Sequence, residues 1–166
     1  MSVGLADLMK AFNTAWDASG LDAMFKALWS DPTDANFVVL HDQEASPGQL
    51  FPYCVVDQTV PRTVARMSGG VDSLREVRDV PMTLNIHVAA ATGDTRSAKE
   101  IAAYLAEEVM KQFGGHPTLS ATQALTLDNG HVLIMEYQTD YCIRTDDSEV
   151  QWVLSYKVRQ DVPVMA

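Results

Sequence analysis

Few of the residues able to do covalent or acid–base chemistry sit at the spacings such chemistry needs. The four histidines are His41, His87, His116 and His131. None lies three or four positions from another His, Cys or carboxylate in a ligand pattern. The adjacent pair His41-Asp42 falls at the end of a β-like run, where neighbours point to opposite faces and cannot share one ion. No metal site is expected. Cys54 and Cys142 lie in apolar runs, which raise a thiol's pKa and leave it inert. Both are expected as free thiols rather than as a disulfide. Glu136 and Asp140, placed on one face of one strand, stand ~13 Å apart, too far for a carboxylate pair. Neither Gly-x-Gly-x-x-Gly nor Gly-Lys-Ser/Thr occurs, and the Gly93-Asp94 and Gly114-Gly115 pairs do not make a phosphate loop. The sequence therefore reads as non-enzymatic, with no catalytic, cofactor-binding or metal-ligating residues.

The chemistry that does stand out is ionic. Arg62, Arg66, Arg75 and Arg78 fall within 17 residues of a chain whose formal charge is −10. That segment reads either as a solvated surface loop or as an interaction arm. As an arm, its guanidinium groups suit carboxylates on another copy of the same acidic chain. The overall charge excludes a nucleic-acid binder that works by neutralising phosphates. It is compatible with a protein that DNA slides past.

The elements that must position these residues centre on 80–115. Ala98, Ile101, Ala102, Leu105, Val109 and Phe113 recur at spacings of three and four, one apolar stripe on a helix of about 19 residues. Asp94 or Thr95 is expected to cap it, and Gly114 to end it in the left-handed conformation. Before it, Met82, Leu84, Ile86 and Val88 alternate with polar residues, a half-buried strand. After it, 120–128 alternates weakly, and Asp128-Asn129-Gly130 signals a turn. A strand over 131–143 is expected to turn Leu133, Met135, Tyr137, Tyr141 and Ile143 to one face and Glu136, Gln138 and Asp140 to the other. A second strand over 150–160 completes a hairpin.

Upstream, the apolar spacing predicts two short helices or one bent helix ending near Trp29, with the Met and aromatic residues as core. Short strands are expected over 36–41 and 51–56. Residues 57–79 hold Pro61, Gly69-Gly70 and the four arginines. They read as a protruding hairpin with arms over 60–67 and 71–77, too poor in apolar area to be stable alone.

The expected fold is thus α+β: a mostly antiparallel sheet with one long amphipathic helix packed on one face. The chain reads as a single domain over 1–166, with an N-terminal helical segment (1–30), the protruding hairpin (57–79) and a strand–helix–hairpin core (80–160). At 166 residues it is long enough for a real core. No apolar run approaches a membrane span, and no basic-then-apolar leader opens the sequence, so neither membrane insertion nor secretion is expected.

In order and pattern the chain resembles the tail terminator proteins of long-tailed bacteriophages. The matching stretches are Phe51-Pro52-Tyr53-Cys54-Val55-Val56, then 83–90 running through Gly93-Asp94 into 98–109, and the hairpin over 132–158. The resemblance implies a structural virion protein, made in the host cytoplasm and located in the tail or neck. Such subunits close into a homohexameric ring that caps the tail tube, meets the tail tube protein and a neck or connector protein, and lets double-stranded DNA pass without being read. The family carries no catalytic residue and no cofactor. Its ring contacts are made by loops and strand edges, which points to Arg62, Arg66, Arg75 and Arg78 as part of the oligomer interface. Two other readings stay open: a different phage head–tail connector or tail-completion protein, and a small ligand-binding or isomerase-like α+β domain with a pocket lined by Trp29, Tyr53 and Tyr141.

Overall fold

Two strands, β4 (Leu74–Ala89) and β8 (Glu149–Pro163), form the spine of a mixed α+β fold. The computed structural model describes residues 5–42, 44–58, 62–68, 74–90, 94–128, 130, 132–145 and 148–163. β4 and β8 pair antiparallel from Arg75↔Pro163 to Ala89↔Glu149. On the other side of β4 lie two strands end to end. β2 (Tyr53–Gln58) pairs residues 82–87, and β3 (Arg62–Ser68) pairs residues 74–79. β7 (Met135–Arg144) flanks β8, and the two-residue β1 (Leu40–His41) joins β2 in parallel. The order is β1-β2-β4-β8-β7, with β3 also on β4. A separate two-stranded pair is made by β5 (Leu125–Thr126) and β6 (Val132–Leu133).

Alternation along the spine sorts the sheet into two faces. Val80, Met82, Leu84, Ile86 and Val88 of β4, with Leu154, Tyr156 and Val158 of β8, are buried. Over them packs α3 (Ala98–Phe113), whose Ile101, Leu105, Val109 and Phe113 are buried too. The helix opens at a capping box. The Ser97 hydroxyl accepts from the Glu100 amide at 3.2 Å, and the Ser97 amide donates to Glu100 Oε2 at 2.7 Å. These bonds satisfy two amides that the first turn would leave without partners. Asp94 and Thr95 are therefore not the cap. Asp94 closes an Asx turn, accepting from the Arg96 amide at 2.9 Å and pairing with its guanidinium. The helix is 16 residues long, shorter than the spacing predicts.

Its end also differs from expectation. Gly114 has φ 113° and ψ 159°, a positive-φ extended conformation rather than a left-handed helical one. Gly115 follows at φ 100°, and a Cβ there would lie within 3 Å of the Tyr137 ring. Tyr156 reaches from β8 to donate to the Gly114 carbonyl at 2.7 Å, tying the helix end to the sheet.

The N-terminal segment is two helices, α1 (Leu5–Ser19) and α2 (Leu21–Lys26), divided by Gly20 at φ 78°. Phe12, Trp16 and Phe25 from these helices form an aromatic cluster with Phe113 of α3. Phe12 stacks on Phe113 with centroids 5.0 Å apart, and Trp16 meets Phe25 edge-on at 5.7 Å. Ring pairs of this kind add about 0.5–1.5 kcal/mol beyond the area they bury. Trp29 Nε1 donates to the Pro52 carbonyl at 2.8 Å, pinning the segment to the start of β2.

Three expected strands are shorter or broken. Of 36–41 only Leu40–His41 is strand. Asp31 and Asp34 accept from the amides of Thr33 (3.0 Å) and Asn36 (2.8 Å), and such Asx turns draw the backbone away from extended pairing. Of 120–128 only Leu125–Thr126 is strand. The residues before it are held to the end of α3, with the Thr122 amide on the Lys111 carbonyl and the Gln123 amide on that of Gln112. The stretch 131–143 divides into β6 and β7, and its expected turn residue Asn129 and first residue His131 lie outside the described residues.

β7 departs most from the alternation. Its register on β8 shifts between Tyr137 and Thr139, leaving Gln138 as a bulge. Beyond it every side chain changes face. Tyr141 and Ile143, expected inward, are 51% and 39% exposed. Asp140 turns instead to the helix side, opposite the buried Leu154. There it accepts from the Tyr137 hydroxyl, and from Trp152 Nε1 at 2.9 Å. Glu136 stays outward, 3.3 Å from Lys157. The two carboxylates thus occupy opposite faces, not one.

Candidate oligomer interface

The four arginines lie on an arm of three strands, not two. Sixteen residues of β4 span about 50 Å, whereas α3 spans about 24 Å. The helix therefore covers about half of the spine. The remainder carries β3, residues 74–79 of β4 and the last residues of β8. β8 runs on to Pro163, so each residue from 75 to 79 has a partner on both sides. An isolated two-stranded hairpin is marginal in water, and a third strand is what gives it independent support. The hairpin tip expected at Ser68-Gly69-Gly70 has Ser68 paired with Leu74, and residues 69–73 lie outside the described residues.

The register places Arg62 opposite Asp79, Thr63 opposite Arg78, Arg66 opposite Glu76 and Met67 opposite Arg75. The side chains of Arg62, Arg66 and Arg75 lie outside the described residues, whereas that of Arg78 is half-buried and engaged within the chain. β8 adds Asp161 opposite Val77. The strands of the arm thus hold four arginines together with Glu76, Asp79 and Asp161, and the remainder of the chain holds the excess of negative charge. At the base of the arm, Arg159 Nε donates to Asp79 Oδ1 at 2.9 Å and Nη2 to Oδ2 at 3.3 Å. That forked contact holds the Asp79 carboxyl below the usual carboxylate range. The counter-charges within the arm were present in the sequence, but only the register shows which residue stands opposite each one.

The other face of the sheet is more polar than the one that α3 covers. It carries Tyr53, Val55 and Asp57 of β2, Asn85 and His87 of β4, Gln151 and Val153 of β8, and Tyr141 and Ile143 of β7. Gln151 Nε2 donates to Asn85 Oδ1 at 3.0 Å, and Asn85 Nδ2 donates to the Val55 carbonyl at 3.3 Å. Tyr53 stacks on His87 at 4.7 Å between centroids. Burial lowers the His87 pKa from its ordinary value and raises that of Tyr53.

The residues suggested for a ligand pocket do not converge. Trp29 lines a cleft of about 340 Å³ with Gln49, Phe51, Pro52, Val88 and Ile101, whereas Tyr53 and Tyr141 lie on the more polar face. Among the described residues no group of three His, Cys, Asp or Glu side chains is placed to hold a metal ion. Cys54 and Cys142 are free and sit on strands separated by β4 and β8, and burial pushes the Cys54 thiol well up. No helix among the described residues is long and apolar enough to cross a membrane. No protein-family model matches this sequence, and no curated protein is significantly similar to it.

Proposed function

We propose that this chain is a structural subunit that assembles with copies of itself into a ring, in the manner of a phage tail terminator. The ring caps a tail tube, meets a neck or connector protein, and passes double-stranded DNA through its lumen without reading it. The observation that carries the reading is the three-stranded arm. It extends past the helix-covered body and bears four arginines on an otherwise acidic chain. An arm of this kind meets a neighbour heterologously, and heterologous contacts build rings where the rotation between neighbours closes. Six copies carry a formal charge of about −60, which keeps DNA from adhering to the passage.

The test is a variant with Arg62, Arg66, Arg75 and Arg78 all replaced by Ala. Its thermal transition stays within a few degrees of the parent, while assembly weakens and becomes less sensitive to salt. An assembly unchanged at moderate salt removes the arm from the interface.

A further inference from the structure

We propose that two of the open edges of the described sheet meet between copies, the outer edge of β3 on one chain adding to the outer edge of β7 on the next. This rests on the ring reading above and names the contact that builds it. Among the described residues β3 pairs only with β4, and β7 only with β8. An unpaired edge is a row of backbone donors and acceptors ready to bind another strand. β3 and β8 both run antiparallel to β4, and β7 runs antiparallel to β8. β3 and β7 therefore run in opposite directions. β3 lies beside residues 74–79 of β4, whereas β7 lies beside residues 150–158 of β8, which pair with 80–88, so two copies with like faces together bring these edges into an antiparallel ladder when one is also shifted along the strand direction.

The surface at β7 suits burial. Four of the large apolar side chains that stand exposed lie along it or just before it: Val132, Ile134, Tyr141 and Ile143, with Ile134 at 74%. Beyond the bulge at Gln138, the run from Thr139 to Arg144 keeps regular register and offers an unbroken edge. The composition is complementary as well. β3 contributes Arg62 and Arg66, while β7 contributes the outward Glu136 and the exposed Tyr141 ring, which are partners for guanidinium groups. Each chain thus holds two different edges at opposite sides of the same sheet, so the contact is heterologous and propagates, building a ring where the rotation between neighbours closes.

The experiment uses the full chain with Cys142→Ala, leaving the buried Cys54 in place. One variant adds Ala65→Cys on β3, and a second adds Thr139→Cys on β7. They are mixed in equal amounts and treated with a short bismaleimide, while light scattering reports mass in parallel. The expected product joins one copy of each variant, and neither variant alone gives it. In addition, Tyr141→Asp with Ile143→Asp loses the assembly at concentrations where the parent holds it, while the chain still melts cooperatively, since both side chains lie outside the core under α3. Cross-linking of the β7 variant to itself overturns the proposal in favour of a two-fold contact. An assembled protein without the mixed product overturns this contact and leaves the ring reading standing. A monomer at every concentration overturns both.

Discussion

Asp140→Asn tests the β7 bulge, because the bulge alone turns this side chain toward Tyr137 and Trp152. In the parent the carboxylate accepts two hydrogen bonds, from the Tyr137 hydroxyl and Trp152 Nε1. An amide keeps one acceptor oxygen for Trp152 Nε1, and the Tyr137 hydroxyl must turn round to accept from the new NH₂, so both bonds lose their ionised acceptor. Bonds to an ionised acceptor contribute about 1.5–3 kcal/mol, less where water reaches them, so the variant loses about 1–3 kcal/mol. For a chain of this length that lowers Tm by about 3–10 °C. A second readout is more specific. The bond to Asp140 pushes the Tyr137 phenol up to about 12. In the variant it returns toward the ordinary value of 10.0. The sign follows: a phenol whose folded pKa is raised adds stability that is complete below pH 10 and is lost as pH rises toward 12. Ultraviolet titration of tyrosinate is the assay, and the variant ionises one more tyrosine between pH 9 and 11 than the parent does. Identical titration curves refute the reasoning, since they mean Asp140 faces away from Tyr137 and the simple alternation holds.

Other consequences are as direct. Leu105 is fully buried under α3, so Leu105→Ala costs about 3–4 kcal/mol in urea unfolding with an unchanged slope; a loss under 1 kcal/mol places the helix face elsewhere. Gly115→Ala adds a Cβ against the Tyr137 ring at positive φ and costs about 2–4 kcal/mol, whereas a neutral melt shows that the helix end is free to move. A double-mutant cycle on Asp79 and Arg159 gives a coupling below about 1 kcal/mol that fades with salt, since the arginine is exposed. His87 is held below its ordinary 6.5 by burial. The unfolded chain therefore takes the proton first as pH falls, and stability present above 6.5 declines below it. His87→Phe flattens that decline between pH 6.5 and 5, measured as the shift of urea midpoint; equal slopes assign the pH dependence to other groups.

The core was legible because it obeys two periods. Met82, Leu84, Ile86 and Val88 alternate, and Ile101, Leu105 and Val109 repeat at helical spacing, so their burial follows from residue type alone. The capping box was also written in the sequence, as Ser97 and Glu100, but Asp94 and Thr95 offered competing caps just upstream. The β7 bulge left no such mark. Tyr137-Gln138-Thr139-Asp140 contains no glycine or proline, and the inverted Asp140 accepts from Trp152, twelve residues away, a contact that no local pattern announces. The arm was visible as an arginine-bearing hairpin with too little apolar area, yet its third strand was not. The strand expected over 150–160 stopped short of Pro163, and the pairing of Pro163 with Arg75 is a long-range fact that no local period encodes.

Ring formation is measured most directly by the mass of the purified full chain in solution, by light scattering across a range of concentrations and with negative-stain images of the same samples. The account predicts a species near six times 18.2 kDa that appears as a closed ring with a central opening. A particle that stays at 18.2 kDa throughout the range, or one that stops at a two-fold dimer, contradicts it.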